Sequence, residues 1–172
     1  MGADKALLSL GGTTLLVQAC RHVEQAAGQA VVIGPPERYA HLGLREVIPD
    51  VRAGLGPLGG IHTALSLRRA EWNLIVACDM PALDLAVLNR LIKEAEAADP
   101  GCLMPVDGAG REHPLCAVYH RECLAAVEAA IGQGQFKVRE ALRGVTVKTV
   151  QIHDSECFLN LNTPADWEAL AR

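Results

Sequence analysis

Hydrophobic residues follow two different periods along the chain, one helical and one strand-like. From Leu15 to Ala26 the apolar positions recur every three or four residues, the spacing of a helix that packs one face on a core. Residues 30–33 form instead a continuous apolar run, which indicates a buried strand. Thr13 or Thr14 can cap the helix, and Gly28 marks its end.

The same alternation continues along the rest of the chain. Further strands are predicted at residues 45–48, 73–78, 102–106, 115–119 and 145–152. Further helices are predicted at residues 59–67, around 85–95 and 124–131, and at 137–142, and the residues 163–166 have the pattern of a helix start. Strands that alternate with helices are typical of an α/β fold with a mostly parallel central sheet. We predict a single domain that spans all 172 residues, 1–172.

Composition excludes several classes of partner. The formal net charge is −4, no basic block is present and only 3% of the residues are aromatic, so neither a nucleic acid nor a membrane surface is an expected partner. The sequence has no secretory signal pattern and no apolar run of membrane-spanning length. We therefore expect a cytoplasmic protein.

Four possible zinc ligands lie close together in the sequence: His113, Cys116, His120 and Cys123. Structural zinc sites usually carry tighter pairs on turns, whereas Cys116 belongs to a strand-like run. A reduced cysteine in such a run behaves as a small hydrophobic residue. The spacing favours core cysteines and surface histidines over a zinc site.

The most informative stretch runs from residue 54 to residue 81. A glycine-rich turn at residues 54–60 opens a short helix, and a buried strand then ends at Asp79. Open α/β sheets bind ligands at the carboxyl ends of their strands, and a carboxylate is a hard oxygen ligand that Mg²⁺ accepts beside substrate phosphates. The pattern predicts a site for magnesium and a nucleotide around Asp79.

Five motifs in order carry a resemblance to a known family. They are residues 1–8 (MGADKALL), 56–60 (GPLGG), 77–81 (ACDMP), 113–115 (HPL) and 160–164 (NLNTP). Together they span nearly the whole chain and resemble the molybdenum cofactor guanylyltransferases, which are MobA-like nucleotidyltransferases. The resemblance implies a three-layer, Rossmann-like nucleotidyltransferase fold. It also implies the transfer of GMP from GTP to the molybdopterin cofactor with release of pyrophosphate, in a pathway whose other proteins are candidate partners.

The resemblance further implies a role for particular residues. Lys5 and Asp79 are the expected catalytic residues: Lys5 contacts the nucleotide phosphates, and Asp79 binds Mg²⁺ and the nucleotide. Asp50 and the turn residues Gly56, Pro57, Leu58 and Gly59 are expected to hold the nucleotide. His113, Asn160 and Asn162 are expected on the side of the pterin substrate. Lys137 and Arg139 could bind the anionic pterin, although a solvated helix face is the favoured interpretation. Nucleotidyl transfer needs positioning and charge neutralisation, so the lack of a nucleophile–base pair is no objection.

One part of the family pattern is missing. Members of the family begin with a hydrophobic strand and a glycine-rich loop with an arginine, and this chain starts at the methionine that follows the loop. Either the start codon has been placed too late or the chain is a truncated relative, and the clean fit from Met1 onward favours the first. In the family fold the missing strand lies between residues 30–33 and 74–78. Its loss predicts a gap, which the chain can answer by closing the two strands together, by recruiting residues 6–10 or by pairing strands between molecules.

Two other functions stay open. A cytidylyltransferase that acts on the same cofactor is the nearest enzyme, although the GPLGG turn resembles the guanine-selective form. A chain without the phosphate-binding loop could also be a non-catalytic protein that binds the cofactor or a pathway partner, and this 172-residue form could be inactive. The DNA sequence upstream of Met1 would discriminate between these alternatives.

Overall fold

The computed structural model describes residues 4–99 and 101–160, which form an α/β fold. The first half contains β1 (Ser9–Leu10), β2 (Thr13–Thr14), α1 (Leu15–Ala27), β3 (Val32–Ile33), α2 (Pro36–Tyr39), β4 (Val47–Ile48), α3 (Pro57–Ser66) and β5 (Trp72–Val76). The second half contains α4 (Leu85–Ala98), β6 (Cys102–Val106), β7 (Cys116–His120), α5 (Cys123–Gly132), α6 (Val138–Ala141) and β8 (Val147–Gln151). Short 3₁₀ helices lie at Lys5–Leu7, Ala40–Leu42 and Glu156–Phe158. The predicted helix start at residues 163–166 lies outside the described residues.

The four-stranded sheet is mixed, with one strand that runs against the other three. β5, β7, β6 and β8 lie side by side in that order; β7 runs antiparallel to both neighbours, and β8 runs parallel to β6. β3 and β4 form a separate parallel pair, and β1 and β2 form an antiparallel pair. The α/β class is confirmed, and within the four-stranded sheet β5, β6 and β8 run in the same direction while β7 is reversed. The physical reason is that residues 107–115 join β6 to β7 without a crossover helix, which makes the two neighbours antiparallel.

Helices cover both faces of the four-stranded sheet. Met104 of β6 and Tyr119 of β7 face a core cluster with α3 and α5, whereas Leu103 and Val118 face a second cluster with α4. Both faces of these strands are therefore removed from water, which explains why the sequence shows continuous apolar runs there instead of alternation. The result is three layers, as the sequence predicted.

The predicted helix ends are largely confirmed by their hydrogen bonds. The side chain of Thr14, and not that of Thr13, accepts a hydrogen bond from the backbone N–H of Val17 at 3.3 Å and caps α1. Gly28 ends this helix in the left-handed region, with φ of 79°, where a residue without Cβ is favoured. Asp84 caps α4 in the same way as Thr14, by accepting from the N–H of Val87 at 2.8 Å.

A gap separates β3 from β5. Within residues 4–99 and 101–160, β3 pairs only with β4 and β5 pairs only with β7, so each has one edge without a partner strand. Between the two edges lies an apolar cavity of about 350 Å³, lined among others by Val31, Ile33, Leu74 and Val76. The predicted gap is confirmed.

Two of the three expected responses to the gap are wrong. β3 and β5 do not close on each other, and residues 6–10 do not fill the space. Ser9–Leu10 pairs instead with Thr13–Thr14 in a hairpin, because the tight turn at Gly11 and Gly12, both with positive φ, brings these residues together locally. Pairing between molecules stays a prediction.

We expect a chain lengthened upstream by a hydrophobic strand to be more stable than this one. A strand in the gap would bury apolar side chains, each worth about 1.5–3 kcal/mol, and would pair the free edges of β3 and β5. Since 1 kcal/mol shifts Tm by about 2–4 °C in a domain of this size, the rise should exceed 5 °C. Thermal unfolding followed by circular dichroism measures it. A glycine-serine extension of equal length is the control, and an equal Tm for both extensions would contradict the prediction.

Candidate nucleotide and acceptor site

Asp79 lies in the turn that follows β5 and is partly exposed. Two contacts hold this turn in place. The next residue, Met80, is buried in the core cluster that contains α4. The side-chain amide of Gln18 on α1 donates a hydrogen bond to the carbonyl of Pro81 at 3.1 Å. A carboxylate that stands at the end of a strand on a fixed turn is placed where α/β sheets bind their ligands.

Lys5 lies in the 3₁₀ helix Lys5–Leu7, which is fastened at its start by Asp4. The Asp4 carboxylate accepts a hydrogen bond from the N–H of Ala6 at 3.1 Å and one from the hydroxyl of Tyr39 at 2.9 Å. Arg38 pairs with the same carboxylate at 3.5 Å. Burial, and next the hydrogen bond to Asp4, raise the pKa of Tyr39 to about 12, so its hydroxyl stays protonated and continues to donate. These contacts give the Lys5 turn a defined position.

Cys78 joins the two parts of the site. Its thiol is packed against a small cluster that contains Ala6, next to Lys5. Burial raises the pKa of Cys78 to about 11; the charges of Asp79 and Asp4 raise it as well, and the charge of Lys5 lowers it. Asp79 directly follows Cys78, and Lys5 directly precedes Ala6 in the cluster that Cys78 packs against, so the structure brings the two predicted catalytic residues into one neighbourhood.

Asp50 meets the glycine-rich turn at the first turn of α3. The N–H of Val51 donates to the hydroxyl of Thr63 at 3.0 Å, which fixes the chain beside this helix. A Cβ added at Gly59 would lie 3.4 Å from Oδ1 of Asp50 and 3.2 Å from the carbonyl oxygen of Arg52. Gly59 is therefore required for close approach, and the structure brings Asp50 and Gly59 together as predicted.

The other turn residues divide into exposed and buried ones. Gly56 and Pro57 are exposed, and Gly56 has a positive φ of 57°, a conformation that glycine adopts without strain. The side chain of Leu58 is fully buried in the core cluster with α5. A contact from Leu58 to a nucleotide would therefore come from its backbone.

His113 belongs to a tightly bonded cluster that the sequence motifs did not reveal. Its Nε2 lies 3.1 Å from Oδ2 of Asp107, and its ring stacks on that of Phe158 at 4.1 Å between centroids, with the planes inclined by 12°. Asp107 is completely buried and also accepts hydrogen bonds from the backbone N–H groups of Ala109 and Arg111 and from Nε of Arg111.

These donors stabilise the ionised form of Asp107. The N–H of Arg111 contributes most, followed by the side chains of His113 and Arg111, and together they hold the pKa of the carboxyl well below its usual range. One signal in the sequence could have identified this residue. Asp107 follows the apolar strand 102–106 and precedes a glycine, much as Asp79 follows the strand before it.

The remaining predicted residues lie near this cluster or outside the described part. Asn160 is exposed, two residues after Phe158. Asn162 lies outside the described residues. Arg139 pairs with Glu112, the neighbour of His113, at 3.1 Å, whereas Lys137 pairs with Glu140 at 3.5 Å.

The candidate metal ligands do not cluster in the described part of the chain. In residues 4–99 and 101–160, no three side chains of histidine, cysteine, aspartate or glutamate form a group that could hold a metal ion. Cys116 and Cys123 lie in two different core clusters, and burial raises the pKa of both thiols, to about 12 and about 11. Asp79 stands as a single carboxylate, which suits Mg²⁺ bound largely by substrate phosphates and water rather than by a protein cage.

Over the part of the chain that the structure describes, no helix has the length and apolar character needed to cross a membrane.

Comparisons with known proteins agree with this geometry. Residues 1–150 match the family model described as MobA-like NTP transferase domain. A probable molybdenum cofactor guanylyltransferase from Nostoc sp. is 33% identical over 96% of this chain and 82% of its own length. The crystal structure of molybdopterin-guanine dinucleotide biosynthesis protein A from Archaeoglobus fulgidus has a TM-score of 0.81 and 28% identity, over 99% of this chain and 90% of that one.

A more distant structure supports the fold alone. The 2-C-methyl-D-erythritol 4-phosphate cytidylyltransferase from Thermus thermophilus has a TM-score of 0.77 at 19% identity, over 99% of this chain and 93% of that one. The three layers, the carboxylate at the end of β5 and the match over residues 1–150 lead to one conclusion. The chain belongs to the family of MobA-like nucleotidyltransferases.

Proposed function

We propose that this protein transfers GMP from GTP to the molybdopterin cofactor. In this reaction an oxygen of the acceptor phosphate forms a bond to the α-phosphorus of GTP. The bond from that phosphorus to the bridging oxygen breaks, and pyrophosphate leaves. The names of the Nostoc and Archaeoglobus relatives support this substrate pair. The observation that carries the proposal is that Cys78, which precedes Asp79, packs against the cluster that contains Ala6, the neighbour of Lys5.

Lys5 and Asp79 would stabilise the phosphate charges in two different ways. Lys5 offers a positive charge to the nucleotide phosphates from a turn whose position Asp4 and Tyr39 define. Asp79 would hold Mg²⁺, which supplies neutralisation of the charge on the leaving pyrophosphate when it is bound. The acceptor phosphate is itself the nucleophile, so the chain needs to position it and to exclude competing water rather than to supply a nucleophile of its own.

Asp50 and the first turn of α3 provide the side for the nucleobase. Guanine presents an N–H and an amino group, which are donors that a carboxylate or a backbone carbonyl accepts. Gly59 is buried, whereas Asp50 and Gly56 are exposed, and Gly56 has no side chain, so the Asp50 carboxylate and the Gly56 backbone stay open to a base. This arrangement supports GTP over CTP, and it is the reason to prefer a guanylyltransferase to a cytidylyltransferase.

The acceptor side is assigned to His113, Asn160 and Asn162. Of these, His113 has the defined environment, with Asp107 at one edge and Phe158 on one face. A pterin carries several N–H donors and ring acceptors, which amide and imidazole side chains can match.

Asp79→Asn should keep the fold and lose most of the transfer activity. The change removes the negative charge that would hold the metal, and loss of one key electrostatic stabiliser typically costs about a hundredfold to a thousandfold in rate. Pyrophosphate release measures it, with enzyme lengthened upstream so that the wild type is fully active. Asp84→Asn is the matched control, because asparagine also caps a helix and Asp84 lies outside the site. Equal rates for Asp79→Asn and wild type would refute the role.

Gly59→Val should weaken nucleotide binding more than it weakens the fold. The added side chain would press on Asp50, which is assigned to the base, and on the carbonyl of Arg52. Calorimetry should show GTP bound more tightly than CTP by the wild type, and tenfold or more of that affinity lost in the variant. Gly132→Ala is the control, because a Cβ there meets open space. Equal affinity for GTP and CTP, or a preference for CTP, would exclude the guanine assignment.

We expect the 172-residue chain to transfer GMP far more slowly than a chain that carries the family's first strand and loop. Without the loop, Lys5 acts without the arginine that the family's loop supplies, and among the described residues the facing edges of β3 and β5 stay unpaired. A side-by-side transfer assay at matched protein concentration measures the difference. If neither chain transfers GMP while both bind molybdopterin, the non-catalytic alternative is correct. Comparable rates would show that the missing segment is dispensable.

A further inference from the structure

The two oxygens of the Asp107 carboxylate have different hydrogen-bond partners. Oδ1 accepts from the N–H groups of Ala109 at 2.9 Å and Arg111 at 3.0 Å, which closes the turn after β6. Oδ2 accepts from Nε of Arg111 at 2.9 Å and faces Nε2 of His113 at 3.1 Å. A solvated guanidinium, with 65% of the Arg111 side chain exposed, does not require a buried carboxylate. The Oδ2–His113 contact is therefore the one that gains from the burial of Asp107.

Contacts fix both the orientation and the position of the His113 imidazole. The ring lies parallel to that of Phe158, and 15% of the side-chain surface is exposed. The backbone N–H of His113 donates to the carbonyl of Pro105 at 3.1 Å, which holds the main chain that carries the ring. The segment that carries Asp107 is itself held by Gln151, whose amide donates to the Asp107 carbonyl at 2.7 Å. Among the described residues, Nδ1 of His113 has no hydrogen-bond partner, so the free edge of a rigid ring is left for a ligand.

We propose that Asp107 is a positioning residue that fixes the proton of neutral His113 on Nε2, so that Nδ1 is presented as an acceptor to an N–H donor of the acceptor substrate. An ionised carboxylate can only accept hydrogen bonds, so the imidazole nitrogen that faces it must carry the proton. The other nitrogen then carries the lone pair. This assignment rests on the proposed function for the identity of the ligand, a pterin with amide and amino N–H groups, but the tautomer itself does not depend on it.

Asp107→Asn tests the proposal because it reverses the direction of one hydrogen bond. Oδ1 of the asparagine can still accept from Ala109 and Arg111, which keeps the turn, while its amide N–H₂ replaces Oδ2. The amide would donate to Nε2 of His113 and would drive the proton to Nδ1. The acceptor edge of the ring would then become a donor edge. Nitrogen-15 NMR of the histidine side chains at pH 8 reads this directly, with the His113 signal assigned from His113→Gln.

The expected result is an Nε2–H tautomer in the wild type and an Nδ1–H tautomer in Asp107→Asn. Molybdopterin, titrated under anaerobic conditions, should bind to the variant about 10-fold to 100-fold more weakly, since a hydrogen bond is lost and donors are left unpaired. The affinity for GTP should be unchanged, which a general loss of structure would not produce. Two variants are the matched controls. Arg111→Met removes the other side-chain partner of Oδ2 of Asp107. Asp154→Asn changes a nearby carboxylate that caps only its own turn.

Several outcomes would overturn the proposal. They are an Nδ1–H tautomer in the wild type, an unchanged tautomer in a folded Asp107→Asn, and an equal loss of GTP affinity. If Asp107→Asn fails to fold, the wild-type tautomer still decides, together with two substitutions at His113. His113→Asn keeps an oxygen near the Nδ1 position, whereas His113→Gln keeps a polar group near the Nε2 position. His113→Asn should therefore bind molybdopterin more tightly than His113→Gln. The reverse order of affinities would contradict the assignment. A wild type that binds no molybdopterin would refute the proposed function, whereas the NMR result would still test the tautomer.

Discussion

Backbone pairing of apolar strands is the constraint on which the rest of this structure depends. β7 is paired on both edges and buried on both faces, and the two core clusters form around it and its neighbour β6. β5 shares this sheet but has one edge unpaired toward β3 within the described residues. Since an unpaired backbone group away from water is costly, the β3–β5 gap is where this fold is least satisfied. The apolar cavity between the two edges shows the same deficit in side-chain packing.

The polar residues of the site follow from the ends of the strands. Asp50, Asp79 and Asp107 each come shortly after a strand, β4, β5 and β6 respectively, and each closes or borders a turn. Their surroundings then set different roles. Asp50 and Asp79 keep exposed surface and can meet a ligand or a metal, whereas Asp107 is fully buried and bonded to four donors. The same residue type is thus open to solvent at two positions and enclosed by donors at the third.

The sequence predicted much of this arrangement, for identifiable reasons. Strands buried on both faces have long apolar runs, and helices with one inner face have clear periodicity, so elements such as α1 and β6 were predicted nearly at their observed ends. The direction of β7 was not predictable from periodicity, because a strand reads the same in either orientation. The hairpin of β1 and β2 was missed because two-residue strands carry almost no pattern. Lys5 and Asp79 were predicted from motifs and Asp50 from the family resemblance, which record chemistry rather than packing, and their roles stay predictions.

Asp107 was missed for a different physical reason. Its importance lies in contacts with residues that are near in space and mostly weakly marked in sequence, such as Phe158, which stacks on the histidine it orients. A buried carboxylate needs several donors at once, and no single spacing in the chain encodes four of them. Two of the donors are backbone N–H groups of its own turn, which an Asp-Gly pair after a strand does suggest. The signal indicated a turn, and the side-chain partners required the fold.

The relative position of Lys5 and Asp79, the proposed catalytic pair, depends on the same unpaired region. Lys5 precedes Ala6, which packs with Val32 of β3 and Leu16 in a small cluster, while Asp79 follows β5 on the other side of the gap. Cys78 packs against this small cluster and joins the two sides, which is why the charges of Lys5 and Asp79 both act on its thiol. No strand ladder fixes the distance from β3 to β5 among the described residues. The separation of the lysine from the carboxylate is therefore set by side-chain packing and by hydrogen bonds such as those of Asp4 and Gln18, which tolerate more displacement than a strand ladder. Because nucleotidyl transfer relies on charges held at fixed positions, filling the gap with a paired strand would act on catalysis through this separation as well as on stability.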